Sequence, residues 1–356
     1  MTLDAGGTAL KFAAMRGNQL LVSPTPQPWR ADRLDESLAA IVAGFESMSK
    51  SLPEPPAAIS FAFPGPADYP AGIIGDLGNL PAFQGGVALG PMLEEKFKIP
   101  VFINNDGDLF AYGEAIAGFL PYVNQLLERA GSPKRYHNLM GITLGTGFGG
   151  GIVRDGELFL GDNSGAAEVW MLRNKLDPSL GAEEGASIRA VTRVYAEQSG
   201  ISFEEAPDTQ TIFEIGMGRR SGNIAAAREA YRRLGEVAGD ALAQMLTLTD
   251  SLAVIGGGIS GAHPLFLDPL FRALNACFEG NGQRRLGPVA FNIEVPEERE
   301  AFLRGETREI TVPGSTRKVR YDPMQRTAVG LTRLGTSEAV AVGAYAFAIR
   351  KLGTPA

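Results

Sequence analysis

Three groups of residues in this chain have the types and spacing to do chemistry. Asp4, Gly6, Gly7 and Thr8 form an Asp-Ala-Gly-Gly-Thr turn near the start, and Gly145, Thr146, Gly147, Gly149, Gly150 and Gly151 form a denser turn in the middle. Between them lies Asn104-Asn105-Asp106. Glycine takes positive φ freely and leaves its amides open, so a glycine turn between two strands lets backbone N–H groups approach a polyphosphate. A carboxylate beside such a turn suits a divalent cation, because Mg²⁺ is held by one or two carboxylates together with phosphate oxygens and water. Asp4 is the candidate for that role. Lys11, on the strand after the first turn, points either at a phosphate or at solvent. A third turn, Gly256-Gly257-Gly258, follows Ile255 and suits a backbone past which a base or ribose slides.

Each group has a plainer reading. The first is also a hairpin turn with an aspartate cap. The second is costly as a mere turn, since glycine weakens strands, and close approach of a ligand is the better account of it. Asp106 is either the N-cap of a following helix or a general base that takes the proton of a substrate hydroxyl during phosphoryl transfer. In the company of two phosphate turns the base is favoured.

The elements that must position these residues alternate between strand and helix. Leu10 to Met15 and Gln19 to Val22 read as a hairpin about Gly17-Asn18, followed by a Pro-rich loop. Leu34, Leu38, Ile41, Val42, Phe45 and Met48 repeat at helical spacing and predict a helix over 32–50. Strands are predicted over Ala58 to Phe63 and Val101 to Ile103, and a helix from Leu109 to Phe119. The pattern then restarts with a second hairpin, 138–143 and 149–153, and a mostly helical region over 183–249. Within that region Ile224, Ala227, Tyr231, Leu234, Ala238, Leu242 and Met245 mark a long amphipathic helix. Ser251 to Ile255 is a buried-type strand. The polar stretch from Pro296 to Gly330 predicts a surface hairpin, Arg308 to Val312 and Arg317 to Tyr321, and Glu338 to Leu352 a closing helix. A glycine hairpin followed by strands and helices, occurring twice, predicts two related α/β lobes with a ligand cleft between them.

The composition narrows the classes. A chain of 356 residues with 44% hydrophobic content is long enough for two lobes and a large core. A net charge of −7, with no basic arm or helix-turn-helix before Asp4, argues against nucleic acid as a partner. The single cysteine, Cys277, excludes an internal disulfide and is expected to be a small buried apolar residue. No apolar run approaches the ~20 residues of a membrane span, which makes the cytoplasm the default location. His137 and His263 sit in no motif and are expected on the surface or in loops. Only Met1-Thr2-Leu3 precede Asp4, a first strand shorter than the usual length of about 5–6 residues, so an upstream start is expected.

Taken in order, Asp-x-Gly-Gly-Thr, Phe63-Pro64-Gly65-Pro66, Gly78-Asn79-Leu80-Pro81, Asn105-Asp106 with Gly113-Glu114, the second glycine turn, Gly165-Ala166-Ala167-Glu168 and Ile255-Gly256-Gly257-Gly258-Ile259 resemble the ROK family of repressors and sugar kinases. The resemblance implies the two-lobed actin-like ATPase fold, also described as ribonuclease H-like, with lobes at 1–118 plus 337–356 and at 119–336. It also implies ATP- and Mg²⁺-dependent phosphorylation of a hexose or N-acetylhexosamine. Carried over by position, Asp106 is the base, Gly65, Asn79, Asn105, Asp106, Glu168 and Glu183 contact the sugar, and Glu184 is the second choice to Glu183. Asp4, Gly6, Gly7, Thr8, Lys11, Gly145, Thr146, Gly147, Gly149, Gly257 and Gly258 serve the nucleotide, and a homodimer is implied.

The chain departs from the family where a histidine and a cysteine run commonly hold zinc. Trp170 stands near the histidine position and no cysteine lies between Trp170 and Glu183, so no structural zinc is expected. Trp170 either stacks on a sugar face or lies in the core, and the core is the more ordinary place. Two rival readings are a non-catalytic or weakly active sugar-binding regulator and an actin-like ATPase without a sugar acceptor. Asn79, Asn105, Glu168 and Glu183 favour a polyhydroxyl pocket over the latter.

Overall fold

The computed structural model describes every residue except 6–8, 18, 29–31, 76–80 and 354–356, and at positions 4, 5, 9, 19, 20, 23–26, 28 and 81 the backbone only. In chain order β1 (Thr2–Ala5), β2 (Ala9–Arg16) and β3 (Gln19–Pro28) lead into α1 (Leu34–Ser51). Then come β4 (Ile59–Ala62), the short β5 (Ala67–Asp68) and β6 (Ile73–Ile74), α2 (Leu89–Phe97) and β7 (Val101–Asn104). These strands, apart from the β5–β6 pair, form one sheet in the order β3-β2-β1-β4-β7. The first three are antiparallel neighbours, whereas β1, β4 and β7 run parallel, which brings Ala62 beside Asp4 and Asn104 beside Ala62. Phe12, Phe45, Phe61, Phe63 and Phe83 fill its core, with Phe45 edge-on to Phe12 at 5.1 Å.

The predicted hairpin is present, but β3 continues through Pro24, Pro26 and Pro28 where a loop was expected. As the outermost strand it has a side that needs no ladder hydrogen bonds, the position in a sheet where proline is tolerated.

The second half begins with α3 (Asp106–Ile116), α4 (Phe119–Arg129), β8 (Leu139–Leu144), β9 (Phe148–Arg154) and β10 (Glu157–Phe159). It continues with α5 (Ile188–Ser199), α6 (Thr209–Gly216), α7 (Ile224–Thr249), β11 (Leu252–Gly256), α8 (His263–Leu274) and β12 (Val289–Asn292). Last come α9 (Pro296–Arg304), β13 (Arg308–Thr311), β14 (Lys318–Tyr321), β15 (Arg326–Leu331) and α10 (Thr336–Gly353). The second sheet has the order β10-β9-β8-β11-β15-β12. Its helical side buries α7 and α8, and its other side buries α3, α4 and Phe302.

Three expectations are corrected here. The helix expected over 109–119 is two helices, because α3 starts at Asp106 and ends before Gly118, after which α4 begins. The polar stretch over 296–330 does contain the exposed β13–β14 hairpin, but it starts with a helix and ends in a buried strand of the second sheet. Pro296 opens α9 where a missing N–H costs nothing, with Glu297 and Glu298 in the first turn, where the helix dipole favours negative charge. Arg326 can enter a buried strand because its guanidinium meets Asp322 Oδ2 at 2.6 Å and its Nε donates to Phe302 O. Cys277 is exposed rather than buried, and His263 opens α8.

Candidate functional site

A cavity of about 790 Å³ runs between the carboxyl end of β7, the second glycine turn and the segment after β10. Where β7 ends, Asn105 turns the chain into α3, and its Oδ1 accepts from Gly107 N at 2.8 Å. The N-cap is therefore Asn105 and not Asp106. Asp106, the first residue of α3, is exposed and lines the cavity, and its Oδ1 accepts from the same Gly107 N at 2.9 Å. A helix N-terminus favours the ionised carboxylate there.

Asn105 Nδ2 reaches Tyr69 Oη at 3.3 Å, and that hydroxyl donates to Phe63 O. Burial pushes the Tyr69 phenol far above its ordinary pKa, and the neighbouring Asp106, Asp108 and Glu168 add to the shift. Tyr69 thus stays a neutral donor. Gly65 lines the cavity next to it.

The second turn is the far wall. Gly145, Thr146, Gly147 and Gly149 line the cavity. Gly151 faces α3, where a Cβ would lie 2.5 Å from Gly107 O; a Cβ on Gly107 would lie 2.6 Å from Gly150 O, and one on Gly150 itself 2.6 Å from Ala167 O. Part of the glycine run therefore admits a helix backbone, where close approach of a ligand was the favoured account. Gly257 and Gly258 close the same wall, with Gly257 at φ +91° and its N–H donating to Thr336 Oγ1 at 2.8 Å.

Glu183, the first choice by spacing, and Glu184, the second, part company. Glu183 lines the cavity, and its Oε2 accepts from Phe148 N at 3.1 Å, in the turn itself. Glu184 pairs with Arg189 and Arg193, and those guanidinium hydrogen bonds hold its carboxyl below the usual range against the opposing effect of burial.

Glu168 lies opposite, just before a 3-10 turn, Val169–Met171. Trp170 is 44% exposed and lines the cavity with its Nε1 donating to Glu168 Oε2, so the core reading of this tryptophan is corrected. Val169 is the buried residue of that turn.

Of the residues singled out by sequence, Gly65, Asn105, Asp106, Gly145, Thr146, Gly147, Gly149, Glu168, Glu183, Gly257 and Gly258 come together on this cavity. Lys11 is half-buried on β2, paired in register with Asp4, and is not among the lining residues. Gly6, Gly7, Thr8 and Asn79, and the side chain of Asp4, lie outside the described residues. Sequence reasoning missed Thr143, Tyr69 and Thr336 on the cavity and Asp108 beside it. Asp108 alone carried a signal, as a second carboxylate two residues after Asp106. Among the described residues no group of three or more His, Cys, Asp or Glu could hold a metal, and no helix is long and apolar enough to cross a membrane.

Comparison with known proteins gives the cavity a context. A model of the ROK family matches residues 1–286. The crystal structure of a glucokinase from Parabacteroides distasonis aligns with a TM-score of 0.90 at 52% identity, covering 98% of this chain and 96% of that one. A ROK family glucokinase from Streptomyces griseus, solved with glucose and AMPPNP, aligns at a TM-score of 0.61 and 20% identity over 97% of each chain. The glucokinase of Streptomyces coelicolor is 26% identical over 309 residues, 81% of this chain and 90% of its own length.

Proposed function

The chain belongs to the ROK family, and we propose that within it the protein transfers the γ-phosphoryl group of ATP to a hydroxyl of a hexose, glucose first, with Asp106 as the base. It has the two-lobed α/β fold of actin-like ATPases and is an ATP-dependent sugar kinase. The observation that carries the reading of the site is the single cavity in which Asn105, Asp106, Glu168 and Glu183 face the glycine turn. Hydrogen-bonding side chains suited to a polyhydroxyl ligand lie on one side and open backbone on the other. We assign residues 1–118 plus 337–356 to one lobe and 119–336 to the other, and a homodimer in the cytoplasm follows from family membership as part of this proposal.

In this mechanism Asn105, Glu168, Glu183 and the backbone of Gly65 hold the sugar, and Asn79 joins them by its place in the motif. Asp106 accepts the proton of the acceptor hydroxyl as its oxygen bonds to the γ-phosphorus and the bond to the β-phosphate oxygen breaks, leaving ADP. The transition state needs positioning and charge stabilisation more than covalent help. Backbone amides of Gly145, Thr146 and Gly147 are assigned to the phosphates, with Gly6, Gly7, Thr8 and Lys11 joining them by their place in the motif, and Gly257 and Gly258 to the adenosine. Mg²⁺ bound with the nucleotide supplies neutralisation of phosphate charge, and Asp4 at the end of β1 would hold it through water.

The test is Asp106→Ala in a coupled ADP-release assay, with sugar binding read by calorimetry. Lost turnover with retained sugar binding is expected, and unchanged turnover would refute the assignment of the base. A panel of glucose, mannose, fructose, allose, N-acetylglucosamine and N-acetylmannosamine reads the acceptor. No ADP release with any of them would move the assignment to a sugar-binding regulator or an ATPase without a sugar.

A further inference from the structure

Two residues beyond Asp106, in the first turn of α3, Asp108 is only 3% exposed and its Oδ1 has no hydrogen-bond partner among the described residues. The backbone explains the burial. A Cβ on Gly151 would lie 2.7 Å from Asp108 Cα, so this turn of the helix is pressed onto β9 and little of the side chain reaches solvent.

The groups that act on Asp108 are Asp106 on its own helix and Glu168 from the segment after β10, and Tyr69 feels its charge in turn. From β8 and β11 the neighbouring residues carry no charge, and from β9 the only one, Arg154, lies at the far exposed end. The start of α10 presents Thr336 and Val340 to the cavity. Among the described residues no cation is one of the groups that bear on Asp108. With Asp106 and Glu168 on the cavity and Asp108 buried beside it, the three carboxyls cannot all ionise cheaply, and the one with least access to water takes the proton.

We propose that Asp108 is a positioning residue that holds the proton of the Asp106, Asp108 and Glu168 cluster and so leaves Asp106 ionised to act as base. Burial first, then Glu168 and Asp106, push its carboxyl well above the usual carboxylate range. In the neutral form Asp108 adds no negative charge beneath Asp106 and none against an incoming triphosphate. Ionised at higher pH it does both, so the site has an acid limb in which Asp106 gains a proton and an alkaline limb in which Asp108 loses one. The inference rests on the assignment of Asp106 made above, and the measurements separate the two.

Infrared difference spectra of the full chain read the proton directly. The wild-type protein at neutral pH is expected to show a carboxylic-acid C=O band that Asp108→Asn lacks and that fades as pH rises. With Asp106→Asn, one like charge is gone, and the band should fade at lower pH than in wild type. These readings stand whether or not any sugar is phosphorylated. In turnover, Asp108→Asn, which has the shape and charge of the neutral acid, should move the alkaline limb of kcat upward by about one pH unit or more, a tenfold change in proton affinity. The acid limb should stay in place. A spectrum without an acid band assignable to Asp108 at neutral pH, or a pH profile of Asp108→Asn that superimposes on wild type, overturns the proposal.

Discussion

Truncating Glu183 tests whether one carboxylate serves both sides of the cavity. Its Oε2 accepts from Phe148 N at 3.1 Å, and Phe148 is 1% exposed, so Glu183→Ala removes a charge-assisted bond and leaves a buried N–H without an acceptor. The contact with Arg189 at 3.6 Å adds little, because that arginine is half exposed. Hydrogen bonds to charged groups contribute about 1.5–3 kcal/mol and an orphaned buried donor costs about 1–3 kcal/mol. If about 2 kcal/mol of this is felt by the phosphates held at the turn, KM for ATP rises roughly 30-fold. If Glu183 also binds a sugar hydroxyl, KM for the sugar rises by about 10- to 150-fold, from the same range of bond energies. Glu183→Gln keeps an acceptor for Phe148 N but loses the charge, and should change KM for ATP by only about fivefold, the worth of about 1 kcal/mol. The assay is coupled ADP release, with ATP varied at saturating sugar and the sugar varied at saturating ATP. If Glu183→Ala leaves both KM values within about twofold, a difference of about 0.4 kcal/mol, the carboxylate supports neither the turn nor the sugar and the reasoning fails.

Three further substitutions test how the site is held. Glu114 is fully buried and accepts from Phe119 N at 2.7 Å and from Arg333 N and Leu334 N at 3.0 Å each, so a glutamine there must aim an NH₂ at one of these donors. Glu114→Gln should lose about 2–4 kcal/mol in urea unfolding at unchanged m, and an unmoved midpoint would show that these bonds carry no weight. Gly257→Ala places a Cβ 2.2 Å from Leu144 O at φ +91°, where the backbone strain alone is about 1–3 kcal/mol, so thermal unfolding should come earlier and KM for ATP should rise. Wild-type values for both would place the strain elsewhere. Asp322, 2.6 Å from Arg326, is pushed up by burial, but the guanidinium and the N–H groups of Glu306 and Met324 outweigh that and hold it below the usual range. Its stabilising contribution is therefore complete above an unfolded-state pKa of about 3.9 and fades as pH falls through the lower folded value. Asp322→Asn should cost about 3 kcal/mol at neutral pH, as a broken buried pair does, and the gap to wild type should narrow in acid. A gap independent of pH is the contrary result.

The parts of the fold legible in the sequence are those where apolar periodicity and burial coincide. In α7, Ala227, Tyr231, Leu234, Ala238 and Leu242 are buried at the predicted spacing, and only Ile224, at the helix start, turns out to solvent. The segments that were misread owe their state to partners far away in sequence. β15 opens with an arginine whose charge is answered by Asp322 and by Phe302 O, so a buried strand reads as polar chain. α8, for which no element was read, carries Pro264 near its start and Pro269 inside, and the second of these hides a helix from any local rule. Trp170, set by type in the core, is turned toward the cavity, where Glu168 accepts its indole N–H. Glu183 and Glu184 differ by one position in sequence, and only in space are they told apart, Glu183 by the bond from Phe148 N and Glu184 by the arginines of α5.

The second glycine turn shows why motif and mechanism are harder to separate than spacing suggests. Read as a phosphate loop, all its glycines have one job. In the structure the run divides: Gly145, Gly147 and Gly149 border the cavity, while Gly150 also meets the first turn of α3, as Gly151 does. A side chain at Gly151 would collide with Gly107 O, as one at Gly107 would with Gly150 O, and the helix would have to move outward from β9. Asp106 and Asp108 flank Gly107, so that movement would carry the base, and the carboxyl beneath it, away from the turn assigned to the phosphates. Glycine at 151 and at 107 thus sets the distance between the proton acceptor and the phosphoryl group. No local rule reveals this, because the constraint lies in a helix that begins about forty residues earlier in the chain.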